Sequence, residues 1–181
     1  MRVLGLDPGP TQSALVILGD RRVLWHWIEP NMAILERVAY FAAIQIGGKT
    51  GLRVLDDELV IEQVANMGMP AVGDSMFETA RWGGRFEQAW HSECDVEAHR
   101  LKRHEVKMHL CGNMRAKDAN IRQALIDRFG GDSAIGRKHS KGPLYGLRGD
   151  EWAALAVALT WQDKVAQKAV GCAREAKQAH A

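Results

Sequence analysis

The sequence predicts an α/β fold with five strands, and three observations carry that expectation. Three β-type runs stand one after another at residues 2–7, 13–19 and 22–28, separated by the turn signals Pro8-Gly9-Pro10 and Gly19-Asp20-Arg21. Apolar residues then switch to helical spacing at Ile34, Val38, Phe41, Ala42 and Ile46, before the wholly apolar Leu59-Val60-Ile61 returns to strand character. A chain of 181 residues with 46% hydrophobic and 25% charged residues suits a single compact core, and excludes a disordered or fibrous protein.

Each element has a local reason. The first three runs form a meander, because short turns join only antiparallel neighbours. The helix over 34–46 acts as a crossover ended by Gly47-Gly48, and the strand at 59–61 delivers Glu62 at its C-terminal end. Over 75–92, Trp82, Phe86 and Trp90 recur every four residues on one helical face, a core pattern. Small Ala80, Gly83 and Gly84 beside them also make this helix a self-complementary patch. Residues 95–101 read as a fifth strand and 103–110 as a short helix stopped by Gly112. Asp118 caps a helix carrying Ile121, Ala124, Leu125 and Phe129, and Gly130-Gly131 ends it. Residues 132–149, rich in Gly, Lys, Arg and Ser, read as a long exposed loop, a mobile basic arm. The last helix opens near Asp150 with the apolar run Ala153 to Leu159, which suits direct packing on a sheet. Residues 1–163 form one domain, and 164–181 a polar helical tail.

Composition narrows the partners. No apolar run approaches the ~20 residues of a membrane-spanning helix, and Asp7 arrives too early for a secretory signal, so a cytoplasmic protein is expected. Cys94, Cys111 and Cys172 are scattered without C-x-x-C spacing, which suggests neither a disulfide framework nor a zinc ribbon. Between Glu97 and Arg148, twelve Lys and Arg face five Asp and Glu, a net charge of +7; the rest of the chain stands at −5 beneath a total of +2. A basic half beside an acidic one suits an enzyme that attracts phosphates while its carboxylates hold metal ions, although a solvated charged surface gives the same pattern.

Three carboxylates lie at the ends of apolar elements: Asp7 after the first strand, Glu62 after the fourth and Asp150 before the last helix. Acids beside so much apolar chain ionise at a cost unless a cation compensates them, so the three together point to a shared divalent metal. Oxygen donors without a supporting His or Cys cluster favour Mg²⁺, with Mn²⁺ as substitute, and two such ions can hydrolyse a phosphodiester. His99, His104 and His109, five residues apart, do not share a helical face and read as surface or DNA-facing residues.

The motifs Gly5-Leu6-Asp7-Pro8-Gly9, Ile61-Glu62-Gln63-Val64, Val106-Lys107 and Asp150 with Ala154 to Thr160 stand in an order and spacing that resembles the RuvC-type Holliday junction resolvases. The likeness runs from about Arg2 to Thr160, and Gly142-Pro143-Leu144-Tyr145-Gly146 is similar to the phage and prophage branch. It implies an RNase H-like fold with a mixed five-stranded sheet, so that residues 1–163 would be the nuclease domain. It also implies a homodimeric, Mg²⁺-dependent endonuclease that makes paired nicks in branched DNA, above all in four-way junctions. Asp7, Glu62 and Asp150 match three of the family's four acidic ligands, and the resemblance implies that they are the catalytic and metal-binding groups. Arg103, Lys107, Lys117, Lys138 and Lys141 would bind DNA; Lys107 matches a family position, Lys117 matches one after a shift of one residue, and Lys138 and Lys141 lie in the basic loop.

Two positions depart from the family. The fourth acid, expected three residues after Asp150, is Ala153; Glu151 next to Asp150 points about 100° away around a helix and reaches the metal only through a late helix start or a water. Where the family places a base-stacking aromatic this chain has Ala65, followed by Met67 and Met69, which read either as loop methionines packed on their own domain or as apolar wedges. The first departure admits an inactive junction-binding module, and the second a broader debranching nuclease acting on flaps and forks.

Overall fold

The computed structural model describes residues 1–46, 55–64 and 73–178, with side chains through residue 172. Strands β1 (Arg2–Asp7), β2 (Gln12–Gly19) and β3 (Arg22–Pro30) form the expected meander, followed by α1 (Asn31–Ala43) and β4 (Asp57–Gln63). Helix α2 (Asp74–Cys94), strand β5 (His99–Lys102), helices α3 (Arg103–Cys111) and α4 (Asp118–Arg128), the hairpin β6 (Gly136–Arg137) and β7 (Ser140–Lys141), and the long α5 (Glu151–Gln178) complete the chain. The main sheet is mixed and five-stranded in the order β3-β2-β1-β4-β5, antiparallel from β1 outward to β3 and parallel across β1, β4 and β5.

Strand alternation divides the core into two layers. Val3, Ala14, Val16, Leu18 and Val60 face α3, α4 and α5, whereas Leu4, Leu6, Leu15, Ile17, Leu59 and Ile61 face α1 and α2. Trp82, Phe86 and Trp90 lie in the second layer, and the core therefore takes the aromatic residues of the self-complementary patch read on α2. Gly5 sits in the layer of α5; a Cβ there would stand 2.2 Å from the Ala154 carbonyl oxygen and 2.8 Å from the Ala158 Cβ. The missing side chain lets α5 lie directly on β1, which brings the start of α5 to the end of the strand.

Several boundaries differ from the sequence reading. Helix α1 starts at Asn31 and ends at Ala43 with Ile44 as its C-cap, three residues earlier at both ends than the expected span of 34–46, so Gly47-Gly48 is not its stop; Gly47, Gly48, Ala65, Met67 and Met69 lie outside the described residues. The fifth strand is only four residues long, and the boundary drawn at residue 163 falls inside α5. Residues 132–149 are not a continuous exposed loop. They hold a 3-10 turn (Gly131–Ala134) and the β6–β7 hairpin, and they are anchored by Leu144 and Leu147 in the core, an apolar contribution hidden among the polar residues. His99 stacks on Trp161 with ring centroids 4.1 Å apart, and His109 bonds Asp163, so both histidines pack against α5. Cys111 and Cys172 carry free thiols, and the buried Cys94 thiol donates to the Trp90 carbonyl at 3.2 Å. Among the described residues no helix is long and apolar enough to cross a membrane.

Asp163 ties α5 to α3, to α4 and to the β2–β3 turn. Its carboxylate accepts from Arg21 at 2.6 Å and Arg128 at 2.5 Å, and meets the His109 Nε2 at 2.9 Å. Burial pushes this carboxyl up, but His109, Arg21 and Arg128 together outweigh it and hold it below the usual carboxylate range. A depressed carboxyl adds stability above its unfolded pKa and loses it as pH falls through the folded value. Asp163→Ala is therefore expected to cost about 2 kcal/mol at pH 7, less than a fully buried network because Arg21 is exposed, and the difference should shrink below pH ~4. Urea denaturation of both proteins at the two pH values checks it.

Candidate active site

Asp7 and Glu62 reach the same end of the sheet through strand pairing. Leu6 is in register with Ile61 across the parallel pair β1–β4, so the next residues, Asp7 and Glu62, emerge side by side at the C-terminal ends of their strands. Asp150 comes from the other layer. Its carbonyl accepts the Ala154 N–H at 3.0 Å, and Ala154 is the residue that rests against Gly5. Asp150 thus stands one helical turn beyond that contact, toward Asp7.

The electrostatics record this convergence. Burial, followed by the charges of Glu62 and Asp150, pushes the Asp7 carboxyl well above the ordinary range. Burial also raises Glu62, which the Arg103 guanidinium offsets only in part. Arg103, the first residue of α3, donates from Nη1 to both Glu62 oxygens at 2.8 and 3.0 Å, and from Nη2 to Asp118 Oδ1 at 2.6 Å. Asp118 is thereby added to the group. The sequence reading gave it only a capping role, yet its charge reaches both Asp7 and Glu62, and Lys117 takes the N-cap position instead. An acid next to a basic residue already assigned to DNA was the one available signal.

The remaining residues divide clearly. Lys107 lies near enough to lower Glu62. Arg103, read as a DNA contact, is engaged by two carboxylates. Lys117, Lys138 and Lys141 are exposed, and the Lys141 ammonium stands 5.4 Å from the Tyr145 ring centroid. Glu151 is buried and turned elsewhere: Oε1 meets His26 Nδ1 at 2.9 Å, and Oε2 accepts the Arg148 N–H at 2.7 Å. The structure does not bring Glu151 to Asp7, because both of its oxygens anchor the start of α5 to β3 and to the preceding turn.

The donors suit a hard divalent cation: all are carboxylate oxygens, and the Asp7 carboxylate makes no hydrogen bond or ion pair with any described residue. Among the described residues no three His, Cys, Asp or Glu side chains are gathered closely enough to hold one ion, and Arg103 occupies both oxygens of Glu62.

No protein-family model and no curated protein matches the chain. Solved structures do. A Thermus thermophilus RuvC structure aligns with 88% of this chain and 92% of its own at TM-score 0.56 and 19% identity. The chain has the RuvC fold. A second structure, T. thermophilus RuvC in complex with Holliday junction substrate, aligns over the same shares at TM-score 0.56 and 18% identity. The RNase H-like mixed sheet expected from the motif order is therefore present, and the RuvC likeness extends over nearly the whole chain.

Proposed function

We propose that this protein is a Mg²⁺-dependent, structure-selective DNA endonuclease that resolves four-way junctions by paired nicks, acting as a homodimer. The observation that carries the reading is the convergence of Asp7, Glu62 and Asp150 at the C-terminal end of the central strands of a RuvC-type sheet, with the charges of the other two raising Asp7. Asp7, Glu62 and Asp150 would hold the metal, with Mn²⁺ as substitute and two ions per site. When bound, the metal supplies a Lewis acid that activates water and stabilises the leaving oxygen of a phosphodiester.

The chain's own side chains do the rest. Asp7 and Glu62 stay fixed because each ends a buried strand, and Asp150 is held by the packing of α5 on Gly5. Lys107 offers a cation to the backbone at the cut, while Lys117, Lys138 and Lys141 give exposed charge that attracts phosphates without reading sequence. A dimer would present two sites to two strands of like polarity, which paired nicking requires.

Incubating a labelled four-way junction, a flap, a fork and linear duplex with Mg²⁺ or Mn²⁺ tests this directly. Symmetric nicks in the junction alone, lost in Asp7→Asn, are the expected result. Equal cleavage of every branched substrate would make the protein a general debranching nuclease. Tight binding with no nicks would make it an inactive junction-binding module, the reading that Ala153 favours.

A further inference from the structure

We propose that Arg103, tethered by Asp118, is a built-in counter-cation that occupies Glu62 until a divalent ion displaces it. This rests on the metal-dependent reading above and assigns that site a positioning residue. Three features carry it. One guanidinium nitrogen, Nη1, is shared between both oxygens of Glu62, at 2.8 and 3.0 Å, so an ion that takes both oxygens must displace it. Its other nitrogen is held at 2.6 Å by Asp118, whose side chain is 76% exposed against 11% for Glu62. One end of the bridge is therefore desolvated and the other lies in water. Finally, Arg103 is delivered by rigid elements: β5 pairs in parallel with β4, placing Leu101 beside Glu62, and α3 begins without a linker after Lys102.

The physical consequence is competition for one carboxylate. The single positive charge of Arg103, shared with Asp118, offsets Asp7 and Glu62 only in part, whereas a divalent ion drawing in Asp7, Glu62 and Asp150 would serve all three. Metal entry must break two charge-assisted hydrogen bonds, a cost that lowers affinity in the DNA-free protein. Asp118 then keeps the released guanidinium beside the site, where a DNA phosphate is its natural partner. Premature metal loading is thereby disfavoured until phosphate is present to receive Arg103. Lysine cannot imitate this bridge, because its ammonium lacks the planar fork that spans two carboxylates.

The test is Mn²⁺ binding to DNA-free protein, followed by calorimetry and by the paramagnetic resonance signal of free Mn²⁺. Arg103→Gln should bind Mn²⁺ about tenfold more tightly than wild type, the scale of losing charged hydrogen bonds to a competitor, and Arg103→Lys should fall between them. Adding Asp7→Asn to Arg103→Gln should abolish binding. A merely structural bridge would leave affinity unchanged or weaken it, and that result, with binding still dependent on Asp7, overturns the counter-cation while the metal site stands. Mn²⁺ binding indifferent to Asp7→Asn would overturn both. If Arg103→Gln does not fold, Arg103→Lys decides the matter by the same comparison.

Discussion

Asp7→Asn is expected to lower junction cleavage by about 10³-fold or more while making the metal-free protein more stable by about 1 kcal/mol. The two effects have one origin. Asp7 is pressed by burial and by the charges of Glu62 and Asp150, and among the described residues no hydrogen bond offsets that pressure. Asparagine keeps the shape, removes the charge and, on the metal-dependent reading, would weaken the hold on a divalent ion. The sign of the pH dependence follows from the raised carboxyl. A group whose folded pKa lies above its unfolded value contributes stability below the unfolded pKa and loses it as pH rises through the folded value. Wild type should therefore weaken relative to Asp7→Asn from acid toward neutral pH, and the two should converge below the ordinary carboxylate range. Melting temperatures in chelator at pH 4 and pH 8, beside a junction-cleavage assay, measure both effects. Restoring Mg²⁺ should stabilise wild type and leave the variant unchanged. A variant that is inactive and also less stable at pH 8 would contradict this picture of an incompletely compensated carboxylate.

Gly5→Ala should be strongly damaging to the docking of α5. The added Cβ would stand 2.2 Å from the Ala154 carbonyl oxygen and 2.8 Å from both the Ala158 nitrogen and its Cβ. Two of these three atoms are backbone, so no rotamer change relieves the clash and α5 must lift from β1. That helix supplies Ala154 through Leu159 to the core, all essentially buried. Overpacking of this kind commonly costs 1–3 kcal/mol, and displacement of a whole helix places the expectation at about 3 kcal/mol or more. Lifting α5 also carries Asp150 away from Asp7, so any folded fraction should bind Mn²⁺ more weakly. Denaturation midpoints and Mn²⁺ titration of the soluble variant test the two parts separately. Wild-type stability would mean that α5 does not pack on β1 at Gly5.

The carboxylate group was legible in the chain because each of its members ends an apolar element. Asp7 follows the Val3-Leu4-Gly5-Leu6 run, Glu62 follows Leu59-Val60-Ile61, and Asp150 precedes the apolar face of α5. The partners of those acids were not legible. Arg103 and Glu62 are separated by 41 positions, and the 125 positions between His26 and Glu151 are closed only when α5 crosses β3. Likewise, Gly, Lys, Arg and Ser dominate residues 132–149, and nothing in that composition reveals that Leu144 and Leu147 reach the core.

The sequence by itself determined the order of the five main strands and the five helices, and the three acids placed at the ends of apolar elements. Periods of 2 and 3.6 residues express local geometry, and an apolar run states its own burial. Tertiary structure alone decided that Arg103 bridges Glu62 to Asp118, that Glu151 turns to His26, and that the basic segment folds back as a hairpin. Those choices depend on which elements become neighbours through sheet order and helix docking, and side-chain charge then pairs across whatever gap the packing leaves.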